Sequence, residues 1–288
     1  MSDAFWIILT GSLVAMTSGL LGCYLVLRKM SMVGDAISHA VLPGIAVAFL
    51  LSGSRSSVPM LIGAAAFGML CTWMIEVFTK KARVQEDASI GISFTWLFAI
   101  GVILITFFAD QVDLDQECVL YGEIAFIGFE TWLGVPVAVW TLGGLFLAII
   151  AFLYFGYKGL YITTFDPEYA ATLGISVATW HYLLMGAVSV TTVFTFESVG
   201  AILVVAFLIV PAATAYLLTR KLQQMLLLAA ATGVIAAVAG YYLAVWINAS
   251  ISGSMVVVLG VLFAMAFVAH IARKASPQKQ KNLLPDNG

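Results

Sequence analysis

An acid and an imidazole lie inside an otherwise apolar stretch of this sequence, residues 32–44. Asp35 and His39 are four residues apart, so on a helix both side chains project from one face, with Cβ atoms roughly 5–6 Å apart. Ionisable side chains inside a membrane helix are costly, and they usually mark ion pathways, proton relays or ligand sites. A carboxylate and an imidazole at this spacing could hold one metal ion or relay a proton.

Pro43 adds a third polar group near this pair. Proline has no N–H, so within a helix it leaves the carbonyl of His39, four residues earlier, without its usual partner. The carboxylate, the imidazole and the released carbonyl then converge within about one helical turn. The alternative is structural, because an Asp and a His in a membrane helix also form hydrogen bonds that hold neighbouring helices together.

The composition is that of a membrane protein. Of the 288 residues, 62% are hydrophobic and 10% are charged, and the mean hydropathy is +1.05. Apolar runs of about 20 residues recur along the chain, each long enough to cross the hydrocarbon of a bilayer as a helix. The sequence predicts an all-α polytopic protein in which residues 1–275 form one transmembrane domain and residues 276–288 a disordered cytoplasmic tail. The formal net charge of −2 says nothing about nucleic acid, because the distribution of charge matters far more than its sum. No nucleic-acid partner is predicted.

The apolar runs predict nine membrane spans, and the basic residues orient them. The predicted spans are at about 5–27, 33–51, 59–79, 91–109, 133–155, 176–195, 198–219, 222–247 and 254–272. Basic residues near span ends favour the cytoplasmic side. An N-terminus outside and a C-terminus in the cytoplasm place every Lys and Arg on that side except Arg55.

Acidic side chains gather on the predicted outer side. They are Asp113, Asp115, Glu117 and Glu123 after the fourth span and Glu197 between the sixth and seventh. An acidic entrance would raise the local concentration of cations. The alternative is a solvated loop, which is what most charge runs are.

A short cytoplasmic helix is predicted after the fifth span. Asp166 suits the N-cap and Pro167 the first helical position, Glu168 lies in the first turn, and Gly174 can end the helix. As structure alone this helix would be an interfacial connector. As a functional element it would offer a rigid docking surface to a soluble partner protein.

Motifs for energy coupling or hydrolysis are missing from the sequence. It contains no Gly-x-x-x-x-Gly-Lys-[Ser/Thr] phosphate loop, no His-Glu-x-x-His and no Gly-x-Ser-x-Gly. An enzyme is therefore the weaker class, although Ser38 could serve a membrane-embedded hydrolase with Asp35 and His39 as its acid–base pair. A proton-coupled secondary carrier with the same pair as its relay is the other alternative.

Three runs together resemble the permease subunits of bacterial ABC-type manganese, zinc and iron importers. They are Arg-Lys-Met-Ser-Met-Val-Gly-Asp-Ala-Ile-Ser-His-Ala-Val-Leu-Pro-Gly at 28–44, Phe-Asp-Pro-Glu-Tyr-Ala-x-x-Leu-Gly-Ile at 165–175 and Val-Gly-Ala-Ile-Leu-Val-Val-Ala-Phe-Leu-Ile-Val-Pro-Ala-Ala-Thr-Ala at 199–215. The likeness covers most of residues 5–272. Residues 115–124 match the family pattern only loosely, and Cys118 receives no role.

The resemblance implies a multi-pass permease of the bacterial inner membrane, in a homodimer or in a heterodimer with a similar permease. Its implied partners are cytosolic ATPase subunits, which would hydrolyse the ATP, and an extracytoplasmic metal-binding protein. Asp35 and His39 match the family's metal-coordinating pair. The segment 165–175 matches its ATPase-coupling helix, with Asp166, Pro167, Glu168, Tyr169, Ala170, Leu173 and Gly174 as the residues concerned.

The sequence and this resemblance together predict a permease that moves a divalent metal ion inward. The ion is the cargo, and no permanently bound cofactor is expected. Oxygen and nitrogen donors without a thiolate suit manganese or ferrous iron as well as zinc, whereas the Irving–Williams order favours zinc by affinity. Manganese is the predicted cargo, and the released His39 carbonyl would add a hard oxygen in its favour.

Overall fold

Ten helices and one short strand pair make up the described part of the chain, which in this computed structural model is residues 3–52, 57–108, 124, 131–132 and 134–281. The elements before residue 137 are α1 Asp3–Leu27, α2 Ser31–Ser52, α3 Ser57–Lys80, α4 Glu86–Phe108, β1 Thr131–Trp132 and β2 Val135–Pro136. The later helices are α5 Val137–Phe165, α6 Pro167–Thr172, α7 Val177–Val199, α8 Ala201–Leu218, α9 Leu222–Ile247 and α10 Ile251–Lys281. The strands pair antiparallel.

The predicted polytopic all-α fold is confirmed. Within the described residues, nine helices are long and apolar enough to cross a membrane, and each corresponds to one predicted span. A helix suits these segments because it satisfies every backbone N–H and C=O internally, where hydrocarbon offers no partner. The orientation of the termini stays a prediction.

The helices form two groups around α1 and α2. In one group α2 packs against α3, α4 and α7, while in the other α1 packs against α5, α8 and α9, with α10 against α8 and α9. The groups meet where α1 contacts α7 and where α2 contacts α8. The helix that carries Asp35 and His39 is therefore enclosed on several sides by neighbouring helices.

Glycines set the closest helix crossings. A Cβ on Gly44 of α2 would meet the carbonyl oxygen of Gly63 on α3, and a Cβ on Gly63 would meet that of Gly44. A Cβ on Gly22 of α1 would likewise run into the Leu208 carbonyl of α8. Because hydrophobic driving force between helices is weak in lipid, such backbone contact is a main source of packing energy.

The end of the fifth span differs from the prediction. The sequence predicts a span that stops near residue 155, but α5 is 29 residues long and ends at Phe165. Polar Thr163 and Thr164 do not end the helix, because both hydroxyls accept hydrogen bonds from Arg28. The helix ends just before Pro167, which lacks the N–H that a continuing helix would need.

The last helix also runs further than the sequence suggests. Helix α10 continues to Lys281, within the segment predicted as a disordered tail. Residues 282–288 lie outside the described part of the chain. The division into a membrane domain and a tail stays a prediction.

Candidate metal site and coupling helix

The neighbouring helices leave the side chains of Asp35 and His39 partly exposed. Helix α2 buries Val33, Ala36, Ile37 and Ala40 among others. The side chains of His39 and Asp35 remain 35% and 34% exposed in the single chain. The sequence thus places its two ionisable groups on an open face of α2, at a level where the residues between and beside them in the chain are buried.

The pair has the geometry of two ligands for one ion. The Nε2 atom of His39 lies 3.7 Å from Oδ1 of Asp35, which is too long for a direct hydrogen bond. With metal–donor distances of about 2.1 Å, two donors so placed would subtend about 120° at a single ion. Both donors can therefore bind one small cation after minor adjustment.

Two aromatic rings from α4 hold the imidazole in place. The ring of Phe94 stacks on His39 with centroids 5.4 Å apart and planes 27° apart, and Phe98 meets it edge-on at 5.7 Å. Rings on two sides restrict the rotation of His39 and keep water from those directions. The imidazole is thereby presented towards Asp35 and the open face.

Helix α4 reaches this position because Gly101 fits against Pro43. A Cβ on Gly101 would lie 2.8 Å from both the nitrogen and Cδ of Pro43. Pro43 lies inside α2, one turn beyond His39, and is buried. Proline and glycine together let the two helices touch there, which brings Phe94 and Phe98 beside the imidazole. The released His39 carbonyl as a third ligand stays a prediction.

In the part that the structure describes, one chain alone brings together only two side chains that could serve as metal ligands at this position. Within residues 3–52, 57–108, 124, 131–132 and 134–281, no group of three or more His, Cys, Asp or Glu side chains is placed to hold a metal ion. Two protein donors are fewer than the four to six that transition metals usually take. The open face of α2 is where further ligands could approach.

Ser38 lies between the two donors but does not present a nucleophile. Its side chain is buried, and its hydroxyl donates a hydrogen bond of 3.1 Å to the Gly34 carbonyl of the same helix. This bond removes the main support for the hydrolase alternative.

The short helix α6 begins at the predicted cap. The Asp166 carboxylate accepts a hydrogen bond of 2.9 Å from the Tyr169 N–H, and Pro167 is the first helical residue. The backbone N–H of Asp166 donates at the same time to the Ile162 carbonyl of α5. A single residue therefore ends α5 and begins α6, with no flexible linker between them.

The other end of α6 is closed just as firmly. Gly174 has a φ of +76°, a conformation that glycine adopts without strain. The Ile175 N–H bonds to the Ala170 carbonyl and the Gly174 N–H to the Ala171 carbonyl, the pattern of a Schellman motif. Ala170 is buried, while Tyr169 and Leu173 are 54% and 52% exposed. Helix α6 is thus a fixed platform with an exposed apolar surface.

Comparison with known proteins identifies the family. The ABC 3 transport family matches residues 2–270, nearly the whole chain. The chain belongs to the ABC 3 transport family. The predicted resemblance to permease subunits of bacterial ABC-type metal importers is confirmed, and this ABC 3 family member is a multi-pass protein of the bacterial plasma membrane.

Relatives match the chain over nearly all of its length. The manganese transport system membrane protein MntD of Bacillus subtilis (strain 168) is 48% identical over 288 residues, covering 98% of this chain and 97% of MntD. The zinc transport system membrane protein TroD of Treponema pallidum (strain Nichols) is 39% identical over 267 residues, covering 91% of this chain and 72% of TroD. In the solved structure of PsaBC from Streptococcus pneumoniae in complex with Fab, one chain is 34% identical, with a TM-score of 0.78 and coverage of 93% of this chain and 91% of that chain.

The predicted acidic entrance of this ABC 3 family member remains untested. Asp113, Asp115, Glu117 and Glu123 lie outside the described residues, as does Cys118. Glu197 is in the last turn of α7, but its side chain is not described. The entrance stays a prediction.

Several residues that shape the site were missed by sequence reasoning. They are Phe94, Phe98 and Gly101 around His39, and Arg28 with its threonine partners. Phe94, Phe98 and Gly101 do share one helical face, which was the available signal. Aromatic and glycine residues are so common in membrane helices that this spacing alone does not single them out.

Proposed function

We propose that this ABC 3 family member passes a divalent metal ion inward, with manganese as the favoured cargo and zinc or iron as the alternatives. The ion crosses at a site on the axis between two permease protomers, and each protomer contributes Asp35 and His39. A separate cytosolic ATPase supplies the energy through α6. An extracytoplasmic metal-binding protein delivers the ion.

The observation that carries this proposal is the partly exposed Asp35–His39 pair, an incomplete ligand set on a membrane helix that packs against several others. Two protomers related by a twofold axis would present the same surface to each other. Two carboxylates and two imidazoles would then meet, which gives four protein ligands where one chain has two. The names of the relatives, manganese transport for MntD and zinc transport for TroD, support a metal ion as the cargo.

The donor chemistry favours a hard or borderline cation. Within the described residues no cysteine joins Asp35 and His39, so the site offers oxygen and nitrogen only. Carboxylate oxygens suit manganese and ferrous iron, whereas a thiolate would have favoured softer metals. Spectroscopy that shows a four-ligand, oxygen-free tetrahedral site would contradict the assignment of manganese.

Parallel uptake assays test the proposed function. Cells that express the permease with its ATPase and binding protein are given manganese, zinc or iron, and the accumulated metal is measured. We expect manganese uptake that stops when the ATPase carries an inactivating change and that persists when an uncoupler collapses the proton gradient. Uptake that follows the proton gradient and ignores the ATPase would instead establish the proton-coupled carrier.

Replacement of Gly101 by alanine tests how α4 positions the imidazole. The added methyl group would push α4 away from Pro43 and move Phe94 and Phe98 off His39. We expect metal uptake to fall by roughly tenfold or more, because small misplacements of a binding group are costly. Gly91→Ala on the same helix is the matched control, since a Cβ there meets nothing within 4 Å. Equal uptake by the two variants would show that the contact between Gly101 and Pro43 is not needed for metal uptake.

A further inference from the structure

Arg28 joins two parts of the fold that lie far apart in the sequence. It is the first residue after α1, and its guanidinium donates through Nη2 to Oγ1 of Thr163 at 3.0 Å and through Nε to Oγ1 of Thr164 at 3.1 Å. Both threonines lie in the last turn of α5. The planar guanidinium of Arg28 therefore donates hydrogen bonds to two successive residues just before the start of α6.

The Thr163 hydroxyl is already oriented to accept a hydrogen bond from Arg28. The hydroxyl of Thr163 donates its own proton to the Gly159 carbonyl at 2.7 Å, which leaves its oxygen free to accept from Arg28. Among the described residues no carboxylate forms an ion pair with Arg28, and burial lowers the pKa of its guanidinium from the ordinary value. A half-buried cation that relies on two hydroxyls is a specific contact rather than a surface ion pair.

On the α1 side, Arg28 belongs to a stiff turn that leads directly into α2. Lys29 has a φ of 62°. The Met30 N–H bonds to the Leu25 carbonyl at 2.9 Å and the Lys29 N–H to the Val26 carbonyl at 3.1 Å, which is a Schellman motif. Helix α2 begins at Ser31, and Asp35 follows one turn later. A displacement of Arg28 therefore moves the beginning of α2, the helix that carries Asp35 and His39.

On the α5 side, the turn that contains Thr163 and Thr164 leads directly into α6. Asp166 both ends α5 and caps α6, so a push on α6 moves Thr163 and Thr164 with it. Helix α6 has a second route through α7, which packs against α2. That route consists of helix packing, whereas the Arg28 contact is the hydrogen-bonded link between the α5 end and the α1–α2 turn.

We propose that Arg28 is a positioning residue that transmits movement of the α5–α6 joint to α2 and so links ATP hydrolysis to the metal pair. This inference rests on the proposed function, because it needs an ATPase at α6 and a metal ion at Asp35 and His39. The planar, forked geometry of the Arg28 guanidinium is needed for this role as well as its charge, since a lysine ammonium cannot bridge both hydroxyls in the same way.

The test uses the complete importer in lipid nanodiscs or proteoliposomes, with its ATPase and binding protein. Three quantities are measured: basal ATP hydrolysis, hydrolysis stimulated by the metal-loaded binding protein, and metal uptake. The variants are Arg28→Gln, Arg28→Lys and the double change Thr163→Val with Thr164→Val. Lys158→Gln is the matched control, because it removes a cation from an exposed position of α5.

We expect Arg28→Gln to keep basal hydrolysis within about twofold while stimulation and uptake fall about tenfold, a typical size for coupling between sites. The threonine double variant should behave alike, and combining the two should add little further loss. Arg28→Lys should restore only part of the coupling, and Lys158→Gln should resemble the wild type.

Two results would overturn the role of Arg28. One is full stimulation in both Arg28→Gln and the threonine double variant. The other is an equal loss of assembly, basal hydrolysis and uptake in both, which would mark the contact as structural only. Failure of the proposed function is read separately, from a wild-type complex that takes up no metal. If Arg28→Gln does not assemble, the threonine variant alone decides, because it leaves the guanidinium in place.

Discussion

Cells that carry His39→Ala or Asp35→Asn are expected to lose metal accumulation almost completely, by about 100-fold or more. On the axis of a homodimer, His39→Ala would remove two of the four protein ligands, and Asp35→Asn would replace two carboxylates by neutral amides. Even changes to groups that only support metal ligands commonly cost 10- to 100-fold in affinity or activity, so the loss of ligands themselves should cost at least as much. Manganese, zinc and iron are measured in parallel in the same cells.

Ser38→Ala on the same helix is the control for this experiment. Its hydroxyl bonds to the Gly34 carbonyl of its own helix, so its loss should leave uptake unchanged. Unchanged uptake in both ligand variants would contradict the metal site. A loss of uptake in Ser38→Ala as large as in His39→Ala would instead indicate a general disturbance of α2.

Thermal stability separates the metal site from the structural alternative. Hydrogen bonds between membrane helices contribute only about 0.6 kcal/mol on average, so either role predicts a small change in melting temperature for His39→Ala without added metal. If the pair only held helices together, added manganese should affect the melting temperature of His39→Ala and of the wild type in detergent alike. We expect the opposite: added manganese should raise the melting temperature of the wild type and have no such effect on His39→Ala.

The spans and the cap of α6 were predictable because both depend on neighbouring residues. A run of about 20 apolar residues has few options other than a transmembrane helix. The cap requires only that Asp166 lies three residues before Tyr169 and directly before Pro167. Asp35 and His39 stood out for the same reason, since a polar pair four residues apart is a local signal.

The end of α5 and the surroundings of His39 were not predictable from local patterns. The predicted span stops near residue 155, whereas in the structure α5 continues to Thr163 and Thr164, whose hydroxyls accept from Arg28, 135 and 136 residues away in the chain. The aromatic contacts on His39 depend on α4 lying beside α2, which periodicity does not specify. Pairing of helices in membranes depends on shape, such as Gly101 against Pro43, rather than on a hydrophobic stripe.

Removal of the apolar surface of α6 should uncouple the permease from its ATPase. Tyr169 and Leu173 are more than half exposed although α6 is held firmly at both ends. Exposed aromatic and aliphatic side chains on a rigid platform are typical anchors of a protein interface. We expect the double change Tyr169→Ala with Leu173→Ala to abolish co-purification of the ATPase and to lower metal uptake by about 30-fold, which corresponds to the loss of about 2 kcal/mol of binding.

The matched control for α6 is Ala171→Ser, a small change at an exposed position of the same helix. It should leave both co-purification and uptake near the wild type. Asp166→Ala should give an intermediate result, because the lost N-cap costs about 1 kcal/mol of helix stability without removing the anchors. Full ATPase binding by the Tyr169 and Leu173 double variant would contradict docking at α6, and the ATPase would then have to bind elsewhere on the cytoplasmic surface.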